Sequence, residues 1–170
     1  MRRAVLLPLV ALASLALTAC GLSPMYAGGG DGTVARGLAA VEVARIEGQA
    51  GWLMRNALND RLGAAGAAAP EFRLDVRLDD ELEGLGVLRD DTISRERRTL
   101  RARYQLIDLA TGDILLDATA GSDAGIDVVS SEYATIAAEQ TALENLAEQV
   151  AQKIVTRVAL TLRQNAVGQQ

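Results

Sequence analysis

Two stretches of this chain alternate apolar and polar residues with a period of two. Phe72, Leu74, Val76 and Leu78 are interleaved with Arg73, Asp75, Arg77 and Asp79, the pattern of a strand with one dry and one wet face. After a stretch opened by Glu83-Gly84-Leu85-Gly86 and running to about Asp91, the alternation resumes. Leu100, Ala102, Tyr104 and Leu106 share one face, and Arg95, Arg97, Thr99, Arg101, Arg103 and Gln105 share the other. Asp108 to Asp113, with Gly112, reads as a hairpin loop. Ile114, Leu116 and Ala118 continue the buried face in a further strand, which Gly121 to Asp127 ends. Upstream, Leu38 to Ile46 predicts a first strand, interrupted by Gly48.

Two stretches follow a helical period instead. Met54, Leu58, Leu62 and Ala65 fall on one stripe between Trp52 and Ala65, before Pro70. Ser130-Ser131-Glu132 supplies a hydroxyl cap and a first-turn acid. From there to Arg163 no Gly or Pro occurs. Ile136, Leu143, Leu146, Val150, Ile154, Val158 and Leu162 recur at three, four or seven residues, predicting a helix of ~45–50 Å. The order β-α-β-β-β-α predicts an α+β fold: a two-layer sandwich of a four-stranded, mostly antiparallel sheet with two helices on one face. The last helix looks longer than the sheet, so part of it is expected to pack elsewhere or fray.

The amino terminus follows neither period. Arg2 and Arg3 precede an apolar run from Ala4 to Leu17, and Thr18-Ala19 are small residues before Cys20, the single cysteine of the 170 residues. The arrangement resembles the bacterial lipoprotein signal, in which the thiol takes a diacylglycerol and the freed amine a further acyl chain. A membrane span needs about 20 apolar residues against roughly 16 here, with Pro8 among them. A buried free thiol is the remaining alternative. Lipidation at Cys20 implies a tether, since two acyl chains already give stable anchoring. Gly21, where such lipoproteins retained in the inner membrane tend to carry Asp, points to the outer membrane. The expected organisation is a signal peptide over 1–19, a lipidated flexible tether over 20–37, one domain over 38–165 and a disordered tail over 166–170. The glycine run at 28–30 lacks the spacing of a phosphate-binding loop and reads as linker.

Charge narrows the chemistry. The formal charge of −5 becomes −7 once Arg2 and Arg3 leave with the signal, which disfavours non-specific nucleic-acid binding. There is no histidine, hence no usual general base or His-containing triad, and no metal-ligand spacing. Paired acids such as Asp90 and Asp91, or Glu81 and Glu83, read as solvated charges because nothing places them in an apolar pocket. No enzyme, cofactor or metal is expected beyond the lipid on Cys20.

The residues that invite a ligand are Arg95, Arg97, Arg101 and Arg103, a row ~25–30 Å long on one strand face, with Arg89 and Arg98 nearby. Guanidinium groups bind phosphate and carboxylate bidentately, so the row could grip lipopolysaccharide. The alternative is a charge ladder with the preceding strand. One register with matched apolar faces sets Asp75 against Arg103, Glu81 against Arg97 and Glu83 against Arg95, with Arg101 left opposite Arg77.

Cys20-Gly21-Leu22-Ser23-Pro24-Met25-Tyr26, Glu83-Gly84-Leu85-Gly86, Arg103-Tyr104-Gln105-Leu106 before Ala110-Thr111-Gly112, and Asp127 to Ala134 together resemble the lipopolysaccharide-assembly lipoprotein family LptE in its alphaproteobacterial form. Leu22 stands where that family more often has Phe. The resemblance implies a non-catalytic lipoprotein anchored in the outer membrane and facing the periplasm. Its implied partner is the β-barrel protein LptD, whose lumen it plugs, with lipopolysaccharide a possible ligand.

Overall fold

The structure, a computed structural model, describes residues 32–63, 68–87 and 93–168. Residues 1–31, with the proposed signal and Cys20, lie outside the described residues, as do Ala65, Arg89, Asp90 and Asp91. Seven elements follow in order: α1 (Thr33–Ala39), β1 (Val41–Val43), α2 (Gly48–Leu62), β2 (Phe72–Val87), β3 (Ile93–Asp108), β4 (Ile114–Asp127) and α3 (Glu132–Gly168). The strands lie in the order β1-β2-β3-β4. β1 runs parallel to β2, and the other pairs are antiparallel. The sheet is therefore mixed but mostly antiparallel, in an α+β fold with a long carboxy-terminal helix.

Period two builds the long strands. On β2, β3 and β4 the even positions face the helices; Leu74, Leu100 and Leu106 are fully buried, with Ala102 and Tyr104 nearly so. α3 answers with a stripe at intervals of three and four: Leu143, Leu146, Val150, Ile154 and Val158, all 0–1 % exposed. α2 lies beside α3 and contributes Met54 and Leu58 to the same core. Gln49 Nε2 donates to Gln140 Oε1 (2.8 Å) and Arg61 Nε to Gln152 Oε1 (3.2 Å). The two contacts have the same sequence offset, so the helices run in the same direction. Ser131 caps α3, its Oγ accepting from the Ala134 N–H at 3.4 Å.

The structure departs from the sequence reading in four places. Residues 33–39, expected to end the tether and begin the first strand, form a helix whose Ala35 and Leu38 are buried. β1 accordingly shrinks to Val41–Val43. β2 does not give way to a loop at Glu83 but runs on through Glu83-Gly84-Leu85-Gly86, because β3 continues to pair with it as far as Ile93. β4 likewise passes through Gly121 to Asp127. These longer strands resolve the apparent mismatch with α3. Sixteen residues at ~3.3 Å each span roughly 50 Å, and α3, at 37 residues, spans ~55 Å. At its start Tyr133 and Ile136 are 84 % and 56 % exposed, while Thr135 between them is buried. Gly112 (φ +80°) makes the β3–β4 turn, a left-handed conformation that a side chain would strain.

Candidate functional site

Both described helices of substantial length pack on the even face of the sheet, so that no described element covers the odd face. The arginine row belongs to that bare face. Arg95, Arg97, Arg101 and Arg103 are all exposed on β3, the second strand from the edge. The structure thus brings the four predicted residues into one column. Arg98 is on the other face, where it makes a two-pronged pair with Asp80 (Nη2–Oδ2 2.7 Å, Nε–Oδ1 2.9 Å) and donates from Nη1 to the Glu139 carbonyl at 3.1 Å. This pins β2 and β3 to α3.

The partners of the row are not those the sequence suggested. The β2–β3 register sets Asp75 opposite Gln105, Arg77 opposite Arg103, Asp79 opposite Arg101 and Glu83 opposite Arg97. The expected matches of Asp75 with Arg103, Glu81 with Arg97 and Glu83 with Arg95 are two residues out. The like-charge pair involves Arg103, not Arg101. A slip of two conserves which residues face the core, so matching of apolar faces could not detect it.

The acids that hold the row come instead from β4. Arg95 Nε bonds Asp127 Oδ1 at 3.1 Å, and Arg103 Nη2 bonds Asp117 Oδ2 at 3.1 Å. Gln105 Nε2 donates to the same Asp117 oxygen at 2.8 Å. Hydrogen bonds from Arg103 and Gln105 hold the Asp117 carboxyl below its ordinary range. Nothing in the sequence reading paired β3 with β4 acids: Asp117 lies within the expected fourth strand but was matched to no arginine, and Asp123 and Asp127 lie where that strand was expected to decay.

Half of the row remains without such a partner. Among the described residues Arg97 and Arg101 make no ion pair, and neither does Arg77 on β2. On the β4 side Arg97 and Arg101 have no side chain directly opposite, because Gly125 faces Arg97 and Gly121 faces Arg101. Arg77, Arg101 and Arg103, with Asp79, Thr119 and Gly121, line an open groove of about 550 Å³. A second hollow of about 440 Å³ adjoins it, lined by Arg45, Asp75, Arg77, Arg103 and Gln105. The face as a whole is a mixture of charges rather than a basic patch. It can take up an anionic group locally at Arg77–Arg101–Arg103, and elsewhere it offers alternating charge to a polar surface.

At the far end of the helix-covered face lies a carboxyl in a poor environment. Glu96 is held above its ordinary range, first by burial and then by the neighbouring Glu139. Its Oε2 is enclosed without a hydrogen-bond partner. Among the described residues no group of three or more His, Cys, Asp or Glu could hold a metal ion, and no helix is long and apolar enough to cross a membrane.

The fold recurs in solved lipoproteins. A putative lipoprotein from Caulobacter crescentus CB15 superposes with a TM-score of 0.66 at 24 % identity, over 79 % of this chain and 98 % of that one. The minor lipoprotein of Acinetobacter baumannii gives 0.59 at 13 % identity, over 71 % and 91 %. The rare lipoprotein B of Shewanella oneidensis gives 0.56 at 12 % identity, over 72 % and 93 %. At these identities the likeness concerns the fold. No curated protein matches the sequence significantly. The family model for LptE, lipopolysaccharide-assembly, matches residues 38–158, which takes in the sheet, α2 and most of α3. By that match, and with a fold shared by solved lipoproteins, the chain belongs to the LptE family of lipopolysaccharide-assembly proteins.

Proposed function

We propose that the protein is lipidated at Cys20, held at the inner leaflet of the outer membrane, and acts without catalysis as the partner that plugs the LptD β-barrel in lipopolysaccharide assembly. The observation that carries this reading is the bare sheet face. A sheet face some 50 Å long that no described helix covers, with guanidinium and carboxylate groups interspersed, suits the polar lumen of a barrel. An apolar face would not. Family membership supports the assembly role, and the lone Cys20 after Thr18-Ala19 supports the anchor. Photocrosslinking residues placed at Thr119 and Asp123, on the bare face, should trap a large β-barrel adduct in intact cells, identified by its mass. A lipoprotein recovered alone from solubilised outer membrane, or a mature chain with an unmodified amino terminus, would refute the reading.

A second reading rests on the groove at Arg77, Arg101 and Arg103, where guanidinium groups crowd with only one Asp117 bond among them. There a lipopolysaccharide phosphate could be gripped. The double variant Arg77→Glu, Arg101→Glu should then lose lipopolysaccharide binding while melting as before; unchanged binding disposes of this role and leaves the barrel-plug reading standing.

A further inference from the structure

Among the described residues β4 is the edge of the sheet, with β3 on one side and no strand on the other. Pairing geometry determines which of its backbone groups face that edge. Opposed residues of an antiparallel pair alternate between a wide pair that exchanges hydrogen bonds and a narrow pair that does not, with Cα atoms about 5.5 and 4.5 Å apart. Gly121 stands opposite Arg101. A Cβ built on Gly121 would lie 3.8 Å from the Arg101 Cα and 3.2 Å from its Cγ. Such closeness marks the narrow pair, so the Gly121 N–H and C=O point away from β3. The register is unbroken from Leu116 to Asp127, so Thr119, Asp123 and Gly125 also turn their N–H and C=O groups outward.

An independent contact agrees. From α3, Lys153 Nζ donates to the Gly121 carbonyl oxygen at 2.6 Å. Lysine on an exposed edge is a recognised device against unwanted strand pairing. Here it occupies the central acceptor of the row.

The side chains along this edge define what would fit. On the bare face β4 presents Asp117, Thr119, Gly121, Asp123, Gly125 and Asp127, with carboxylates and no cation. On the other face Ala118, Ala120, Ser122 and Ala124 are small and half-buried. On its inner side β4 already meets such a strand in β3: Arg95 stands opposite and bonds Asp127, Arg103 bonds Asp117, and Tyr104 and Ala102 stand opposite Ala118 and Ala120. A second copy is a poor match: β4 against β4 would gather the carboxylates of both copies on one face, and like charges across a strand pair are destabilising.

We propose that the β4 edge takes a fifth strand from another polypeptide, an extended segment with Arg or Lys at alternate positions and apolar residues between them, and that Lys153 is the guard it displaces. Main-chain hydrogen bonds to Thr119, Gly121, Asp123 and Gly125 would supply the binding, and the alternating cations the choice of partner. One lysine hydrogen bond is exchanged for a ladder of several.

The test uses the mature chain and a short end-blocked peptide alternating Arg and Val, with an alternating Glu–Val peptide as control. Fluorescence anisotropy should show binding of the Arg–Val peptide only. Hydrogen exchange should slow at the amides of Thr119, Gly121, Asp123 and Gly125. Lys153→Met should tighten binding roughly three- to tenfold, the worth of one hydrogen bond. Thr119→Pro removes an outward donor without touching the β3–β4 ladder, and should weaken it. If Thr119→Pro does not fold, the exchange pattern of the unaltered chain decides. Equal binding of the Glu–Val peptide, protection absent from those amides, or protection on the open part of β2 instead would overturn the proposal. So would self-association of the Lys153→Met variant in place of peptide binding, which would make a second copy the occupant.

Discussion

The two faces of one sheet obey opposite rules although the same strands build both. Beneath α3 the even positions of β2 and β3 meet helix side chains with nothing between, and Leu74, Leu100 and Leu106 are fully buried. On the odd face the same strands carry guanidiniums and carboxylates that stay wet even when paired: the Arg103–Asp117 side chains are 67 % and 38 % exposed. Where an ion pair forms on the helix side, between Arg98 and Asp80, it is 16 % and 25 % exposed and reaches into the backbone of α3. Stability therefore resides on one face, and the other can be rewritten in charge for a partner surface with little cost to the fold.

Four measurements probe that division. The largest effect is expected at Leu146, 0 % exposed within the α3 stripe. Leu146→Ala should lose about 2–5 kcal/mol by urea denaturation, whereas Arg101→Ala should stay within about 0.5 kcal/mol. Comparable losses at both would mean that the bare face also holds the fold together. Next comes Arg98→Ala, which leaves Asp80 and the Glu139 carbonyl without their donor and should cost about 1–3 kcal/mol. Arg103→Ala, removing a solvent-screened pair, should barely shift the melting temperature.

The third measurement concerns pH. Because burial and Glu139 raise the Glu96 pKa in the folded chain, ionisation of Glu96 opposes folding. Its contribution is fully present below the ordinary glutamate value of about 4.3 and is lost as pH rises through the raised folded value. Glu96→Gln should accordingly melt above the parent at pH 7, and the gap should close as pH falls toward about 4. The smallest effect lies on the wet face and has the opposite sign. The Asp117 pKa is lowered by Arg103 and Gln105. Its contribution is present above the ordinary aspartate value and lost as pH falls through the lowered one. Asp117→Asn should therefore give a slight loss at neutral pH that disappears in acid, followed by calorimetry across the same range.

What the sequence determined by itself was each element's face. Alternation over Phe72–Asp79 and Arg95–Leu106, and the three-and-four spacing from Leu143 to Leu162, separate dry from wet positions residue by residue, because burial acts on side chains whose direction follows from local period alone. The arginine column was legible for the same reason. The tertiary structure alone decided how the elements meet. A register slip of two residues preserves both faces, so only the packed sheet could place Arg103 opposite Arg77 and give Asp117 and Asp127 to the row. Gly84, Gly86, Gly121 and Gly125 look like strand ends in isolation, yet they sit inside strands because neighbours pair across them. The Thr33–Ala39 helix likewise exists where α3 offers its short apolar stripe a surface, a partner too distant in the chain for local pattern to reveal.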